Sequence, residues 1–213
     1  MDIRWLADTS FVITASSGTV VTDPPPGSTP DPESAAGTSI VALSHAGAAH
    51  GEVGRWTKTA QLLDGPGEYE ISGLGVRGVA TAMSDIADPQ ALNTVFVIDA
   101  EGLTVCHLGV VAGPLTAQAV RLIGKVDVLL TPAGGTDQTL GADQAAAIVR
   151  GLEPRVVIPM HPGIAPGSSD LSALDPFVSE LGAPKPEASP RTSITRNNLG
   201  EVLRLVLLRP VGA

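Results

Sequence analysis

Short apolar runs, each closed by glycine, proline or aspartate, follow one another down this chain, and that rhythm leaves few folds open. Residues 3–6, 11–14, 19–22 and 40–43 are such runs, and 61–63, 69–71, 75–80 and 94–99 continue the series. They are too short for helices and rich in Val, Ile, Thr and Phe, which is the pattern of buried strands. Helical spacing enters later. Over 115–123 it places Leu115, Ala119 and Leu122 on one face, and over 142–152 it groups Ala145, Ile148, Val149 and Leu152. A strand follows each, at 126–130 and 155–158, and a third helix is expected over 171–181, with strands at 192–195 and 202–208 closing the chain. A strand-rich first half and a mixed second half fit two packed sheets flanked by helices, an α/β architecture. The Pro/Gly/Ser-rich stretches 23–37, 162–169 and 182–190 read as loops within one domain spanning residues 1–213, because strands of similar character lie on both sides.

Composition narrows the function. Hydrophobic residues make up 43% of the 213, enough for a sizeable core, but aromatics are only 3%, so Val, Leu, Ile and Ala must fill it. The formal net charge of −9 argues against nucleic acid, whose phosphates call for a basic surface. Cys106 is the single cysteine, which excludes an internal disulfide and fits a reducing, cytoplasmic setting. It sits in the apolar run Leu103-Thr104-Val105-Cys106, where a thiol is a small hydrophobe rather than a nucleophile. Met1-Asp2-Ile3-Arg4 carries charge where a signal peptide needs its apolar stretch, and no run is long enough to cross a membrane.

The segment Ser44-His45-Ala46-Gly47-Ala48-Ala49-His50-Gly51 follows the strand at 40–43. Histidines set just beyond a strand end are a metal-ligand pattern, and this one resembles the S-H-x-H-x-D-H motif of metallo-β-lactamase-fold hydrolases, the branch with the L-ascorbate-6-phosphate lactonases. The resemblance extends along the chain. Trp5-Leu6-Ala7-Asp8-Thr9-Ser10-Phe11 is similar to an opening W-L-G-H-S-x-F, and Val21-Thr22-Asp23-Pro24 to a T-D-P. Gly65-Pro66-Gly67-Glu68-Tyr69-Glu70 resembles a G-P-G-E-Y-E segment, Val105-Cys106-His107-Leu108-Gly109 a C-H-L-G-D without its aspartate, and Ile158-Pro159-Met160-His161 a late I-P-M-H. The implied fold is the four-layer αββα metallo-β-lactamase sandwich.

What the resemblance implies for the site is a depleted ligand set. In that family one metal takes the first two motif histidines and a histidine from a later loop. The other takes the motif aspartate, the last motif histidine and the late histidine, and an aspartate bridges both. Here Gly47 and Ala49 replace two ligands, residues 81–85 hold no histidine, and the bridging position is Val110. His45, His50 and His161 remain, a residual set for at most one zinc where relatives bind two. A catalytic zinc takes about three protein ligands and an open position, and two-metal hydrolysis needs both ions about 3.5–4 Å apart.

Three readings follow. The first is a binding or scaffolding module that has lost the two-metal chemistry and keeps its cleft for a small-molecule ligand, with a homo-oligomer left open. The second is a hydrolase of a lactone, ester or phosphoester with a remodelled single-metal site on His45, His50 and His161, which Asp8 or Asp85 would complete. The third is a metal-free enzyme using His and Asp as acid–base groups. Other motifs carry less. Gly73-Leu74-Gly75-Val76-Arg77-Gly78 spells a dinucleotide fingerprint, but no helix opens at its third glycine. Gly134-Gly135 has no following G-K-[ST], and reads as a turn at the mouth of the pocket. Ser44 and Ser84 lie outside any nucleophile elbow, and His107 reads as a buried, hydrogen-bonded histidine.

Overall fold

The computed structural model describes residues 1–25, 37–46, 53–56, 60–83, 92–133, 140–160 and 171–210. Strands β1 (Asp2–Ala7), β2 (Ser10–Ala15) and β3 (Gly18–Thr22) form an antiparallel meander, to which β4 (Thr38–Ala42) and β5 (Gln61–Leu63) add in parallel. With β12 (Thr192–Ser193) on the other edge, the first sheet runs β12-β1-β2-β3-β4-β5. The second contains β6 (Gly67–Ile71), β7 (Leu74–Ala82), β8 (Leu92–Ala100), β9 (Leu103–His107), β10 (Val128–Pro132), β11 (Val156–Met160) and β13 (Arg204–Leu205). Its order is β13-β11-β10-β9-β8-β7-β6, antiparallel from β6 to β9 and parallel from β9 onward.

Alternation sorts the side chains. In the first sheet Ile3, Trp5, Phe11, Ile13, Val20, Ile40, Ala42 and Leu63 point into the main core, while Val12, Val21 and Val41 point out and are covered by Trp56 beside the 3-10 turn Val53–Arg55. The parallel part of the second sheet is buried on both faces, as β10 and β11 show with every residue buried. Parallel strands joined by helices require this, because the crossovers cover the outer face. Helices α1 (Ala117–Ile123), α2 (Ala142–Leu152) and α3 (Asp175–Leu181) supply that cover. Two sheets face to face with cover outside each are the expected α/β metallo-β-lactamase sandwich.

Two expectations need correction. Helix α1 buries Ala119 and Ile123, four apart, and leaves Leu122 half exposed. The helix begins only at Ala117, so Leu115 lies before it and sets no face. The closing strand at 202–208 shrinks to Arg204–Leu205, although Arg204 and Val206 donate backbone hydrogen bonds to Arg155 and Val157 alongside. The glycine-rich 73–78 segment is a β-hairpin, with Gly73 in the β6–β7 turn, so no dinucleotide loop forms. Gly78 is glycine for packing reasons: a Cβ there would meet the Gly65 carbonyl oxygen at 2.8 Å and Pro66 Cα at 3.0 Å. The Gly65-Pro66-Gly67 turn therefore lies directly on β7. Among the described residues no helix is long and apolar enough to cross a membrane.

Candidate functional site

Buried polar side chains are concentrated at one end of the sandwich. Thr9, Ser10, Thr22, Asp23, Ser44, Asn93, Thr94, His107 and Thr131 lie where the β1–β2 turn meets the ends of β3, β4, β9 and β10 and the start of β8. Away from this end, only Thr19 and Asp127 join them among the described residues. Burying so many polar groups together costs stability unless each finds a partner, so their hydrogen bonds define the site.

Asp23 follows β3 with φ of +39°, a left-handed conformation that Asp and Asn tolerate better than most residues. It is buried, and its carboxylate accepts from the Ser44 backbone N–H and the Ser44 hydroxyl, both at 2.7 Å. Ser44 Oγ in turn stands 2.9 Å from His45 Nδ1. The Ser44 carbonyl accepts from the Thr94 N–H at 2.6 Å, and His45 pairs with Asn93 as an antiparallel bridge. His45 is thus half-buried at the junction of the two sheets.

Asn93 holds the opposite wall. Its Nδ2 donates to Thr81 Oγ1 at 2.8 Å and to the Leu108 carbonyl at 2.9 Å, while its Oδ1 accepts from the Val110 N–H at 2.8 Å. The segment 108–110 is therefore held at both ends by one side chain, with a further bond from the Leu108 N–H to the Leu130 carbonyl. Gly109 sits inside this knot with φ of +62°, and a Cβ there would lie 2.2 Å from Asn93 Oδ1 and 2.6 Å from Ser44 Cβ. Sequence reading passed over Asn93; the available signal was an amide placed before the apolar run Thr94-Val95-Phe96-Val97.

His107 lies beneath, with no exposure. Its Nε2 donates to the Thr9 carbonyl at 2.7 Å and stands 4.0 Å from Asp23, while Nδ1 is buried without a hydrogen-bond partner. Burial pushes its pKa down, against the pull of the Asp23 carboxylate and the Thr9 bond. The reading of His107 as a buried, hydrogen-bonded histidine holds. So does that of Cys106, a fully buried thiol whose pKa is driven up by loss of solvent. Arg77 partly opposes that rise, and its Nη2 donates to the Ile123 carbonyl at the end of α1.

Of the three candidate metal ligands, the structure places His45 at this end; His50 and His161 lie outside the described residues, as do Gly47, Ala49, Ser84, Asp85, Gly134 and Gly135. Asp8 is exposed in the β1–β2 turn, where its carbonyl accepts from Trp5 Nε1 at 2.9 Å. Among the described residues no group of three or more His, Cys, Asp or Glu is positioned to hold a metal ion. Beside the Asn93 wall a cleft of about 310 Å³ is lined chiefly by Ala80, Ala82, Leu92, Val111 and Leu115, with the Thr81 and Thr116 hydroxyls as its polar points.

A beta-lactamase superfamily domain matches residues 2–161, three quarters of the chain, and its extent covers every strand that meets at this end. The chain belongs to the beta-lactamase superfamily. A UPF0173 metal-dependent hydrolase of Methanoculleus marisnigri is 29% identical over 187 residues, covering 76% of this chain and 80% of the relative. A crystal structure from Thermotoga maritima, assigned to the Zn-dependent hydrolases of the metallo-beta-lactamase superfamily, is 28% identical with a TM-score of 0.72 and covers 98% of both chains. Igni18, a metallo hydrolase of Ignicoccus hospitalis, shares the fold at 19% identity and a TM-score of 0.63, over 99% of this chain and 94% of its own. The scaffold is therefore one that this chain shares with proteins described as metal-dependent hydrolases.

Among the described residues, the positions that the family resemblance assigns to metal ligands carry one imidazole, that of His45. The position that the resemblance assigns to the bridging aspartate is Val110, an alkyl side chain whose backbone N–H donates to Asn93 Oδ1.

Proposed function

We propose that this chain is a metallo-β-lactamase-fold protein that has given up two-metal hydrolysis and keeps the cleft as a binding module for a small molecule. The observation that carries this reading is Val110: its backbone is anchored to Asn93 at 2.8 Å, where the family resemblance expects a bridging carboxylate, and its side chain has no electron pair to offer. Gly47 and Ala49 remove two further donors, and 81–85 lacks the loop histidine. The neighbouring cleft supports an uncharged ligand, since its walls are aliphatic apart from two hydroxyls.

A second reading is favoured by the relatives' descriptions as metal-dependent hydrolases and by the placement of His45 at the site end. In it, His45, His50 and His161 hold one zinc and the protein hydrolyses a lactone, ester or phosphoester. Elemental analysis of tag-free protein, with His50→Ala alongside, separates the two. Absence of bound zinc after incubation with the metal supports the binding module. About one zinc per chain, lost in the variant, would establish the single-metal reading instead.

A further inference from the structure

The cleft beside the Asn93 wall has a neighbour. Pro114 and Leu115, which line that cleft, also line a second cavity of about 200 Å³. This second cavity lies between α1 and α2, with Val120 on one helix and Ala147, Ile148, Gly151 and Leu152 on the other. None of the residues lining either cavity is ionisable or aromatic, in a chain whose formal net charge is −9. The one polar side chain lining the second is Gln144, whose Oε1 accepts from the Gly141 N–H at 3.1 Å.

Gly151 keeps the second cavity open. It sits in the last turn of α2, although glycine is a poorer helix former than any residue but proline. A Cβ at this position would meet nothing within 4 Å. Packing within the described chain therefore gives no reason for glycine, whereas an occupant of the cavity needs the space that a side chain would fill. Leu92, more than half exposed, is an apolar group with uncovered surface on the cleft side of Leu115.

We propose that the two cavities form one site for an uncharged molecule with a straight aliphatic tail, its head in the cleft and its tail beyond Leu115 between α1 and α2. The inference rests on the small-molecule reading of the cleft and adds the chemical class of the ligand. Shape selects a chain: two small cavities meet at Pro114 and Leu115, so a flexible tail bends past them where a rigid body stays on one side. Thr116 selects the head. Its Oγ1 accepts from the Ala119 N–H at 3.1 Å, which leaves the hydroxyl proton for an acceptor oxygen of the ligand. An ester or amide carbonyl serves. A carboxylate does not, because no cation lines the cleft to offset its loss of water.

The test is an NMR titration of the full chain with N-methylbutanamide, N-methylhexanamide and N-methyldecanamide, which are uncharged and resist hydrolysis. N-methylbutanamide should shift the backbone signals of Ala82 and Val111 in the cleft. The longer members should also shift those of Val120 and Gly151, with affinity rising about fourfold for each CH2 that the second cavity takes up. Gly151→Leu fills that cavity, so it should erase the gain with length and leave N-methylbutanamide binding as it was. If this variant does not fold, Ala147→Leu is read in its place, and if neither folds the length series on the native chain decides. Affinity that does not depend on length, or a gain that survives in the folded variant, overturns the proposal. A response confined to the cleft overturns it too, but leaves the small-molecule reading standing. No response in the cleft to any member overturns both.

Discussion

On one side of the site end stand Asp23, Ser44 and His45, a buried carboxylate, a hydroxyl and an imidazole joined by hydrogen bonds of 2.7–2.9 Å. On the other stands the 108–110 segment, whose backbone is gripped by Asn93 just as firmly but whose side chain is the alkyl group of Val110. Both walls are framed by buried hydrogen bonds, but only the first presents an imidazole. The reason is energetic. Buried amides, carbonyls and carboxylates need their partners for the fold to stand, whereas a ligand side chain facing a cleft adds nothing to that requirement. A metal centre can therefore lose its donors while the scaffold that aimed them persists, and fold family alone does not carry the activity across.

The comparison breaks most sharply at Gly109, which touches both walls. Gly109→Ala adds positive-φ strain and a clash with Asn93 and Ser44, and should cost about 3–4 kcal/mol of stability in urea unfolding. A loss below about 1 kcal/mol would show that the two walls are not packed as described. Asn93→Ala isolates one wall. It strands the Leu108 carbonyl and the Val110 N–H, with an expected loss of about 3 kcal/mol in the same assay.

Acid sharpens the comparison beneath the two walls. His107 has its pKa lowered by burial, so the unfolded chain takes up its proton more readily than the native one. Its contribution is present above the unfolded value of about 6.5 and is lost as pH falls through it toward the lower folded value, with a slope up to about 1.4 kcal/mol per pH unit. Urea midpoints from pH 8 to 5 should fall accordingly, and His107→Gln should flatten the trend. An equally steep decline in the variant would assign the acid sensitivity to other groups. The smallest effect belongs to Val110→Asp. Position 110 is half-buried and its backbone is already anchored, so restoring a carboxylate should change stability by no more than about 1 kcal/mol. A large loss would mean that the frame has reshaped itself around valine.

Much of the scaffold was legible because its signals are local. The strand at 61–63 and the helix at 142–152 match β5 and α2 residue for residue, since turn residues and apolar spacing bound them. Leu122 misled because apolar spacing shows which residues share a face, not which face meets the sheet. Ala119 and Ile123 take that contact in a helix of only seven residues. The closing strand was overestimated because Val202, Leu203, Val206 and Leu208 have strand composition, yet only Arg204–Leu205 pair with β11 and residues 207–209 bond to Ser189 instead. At the site, His45 was legible from its motif and His107 from its apolar run. Asn93 and the Asp23–Ser44 pair were not, because their role rests on contacts between segments far apart in the chain, which periodicity does not encode.

The central claim is that the frame survives and the two-metal centre does not. Native mass spectrometry of protein equilibrated with excess zinc and then desalted tests it most directly. The account predicts no species carrying two zinc ions per chain. A stable two-zinc species would contradict it.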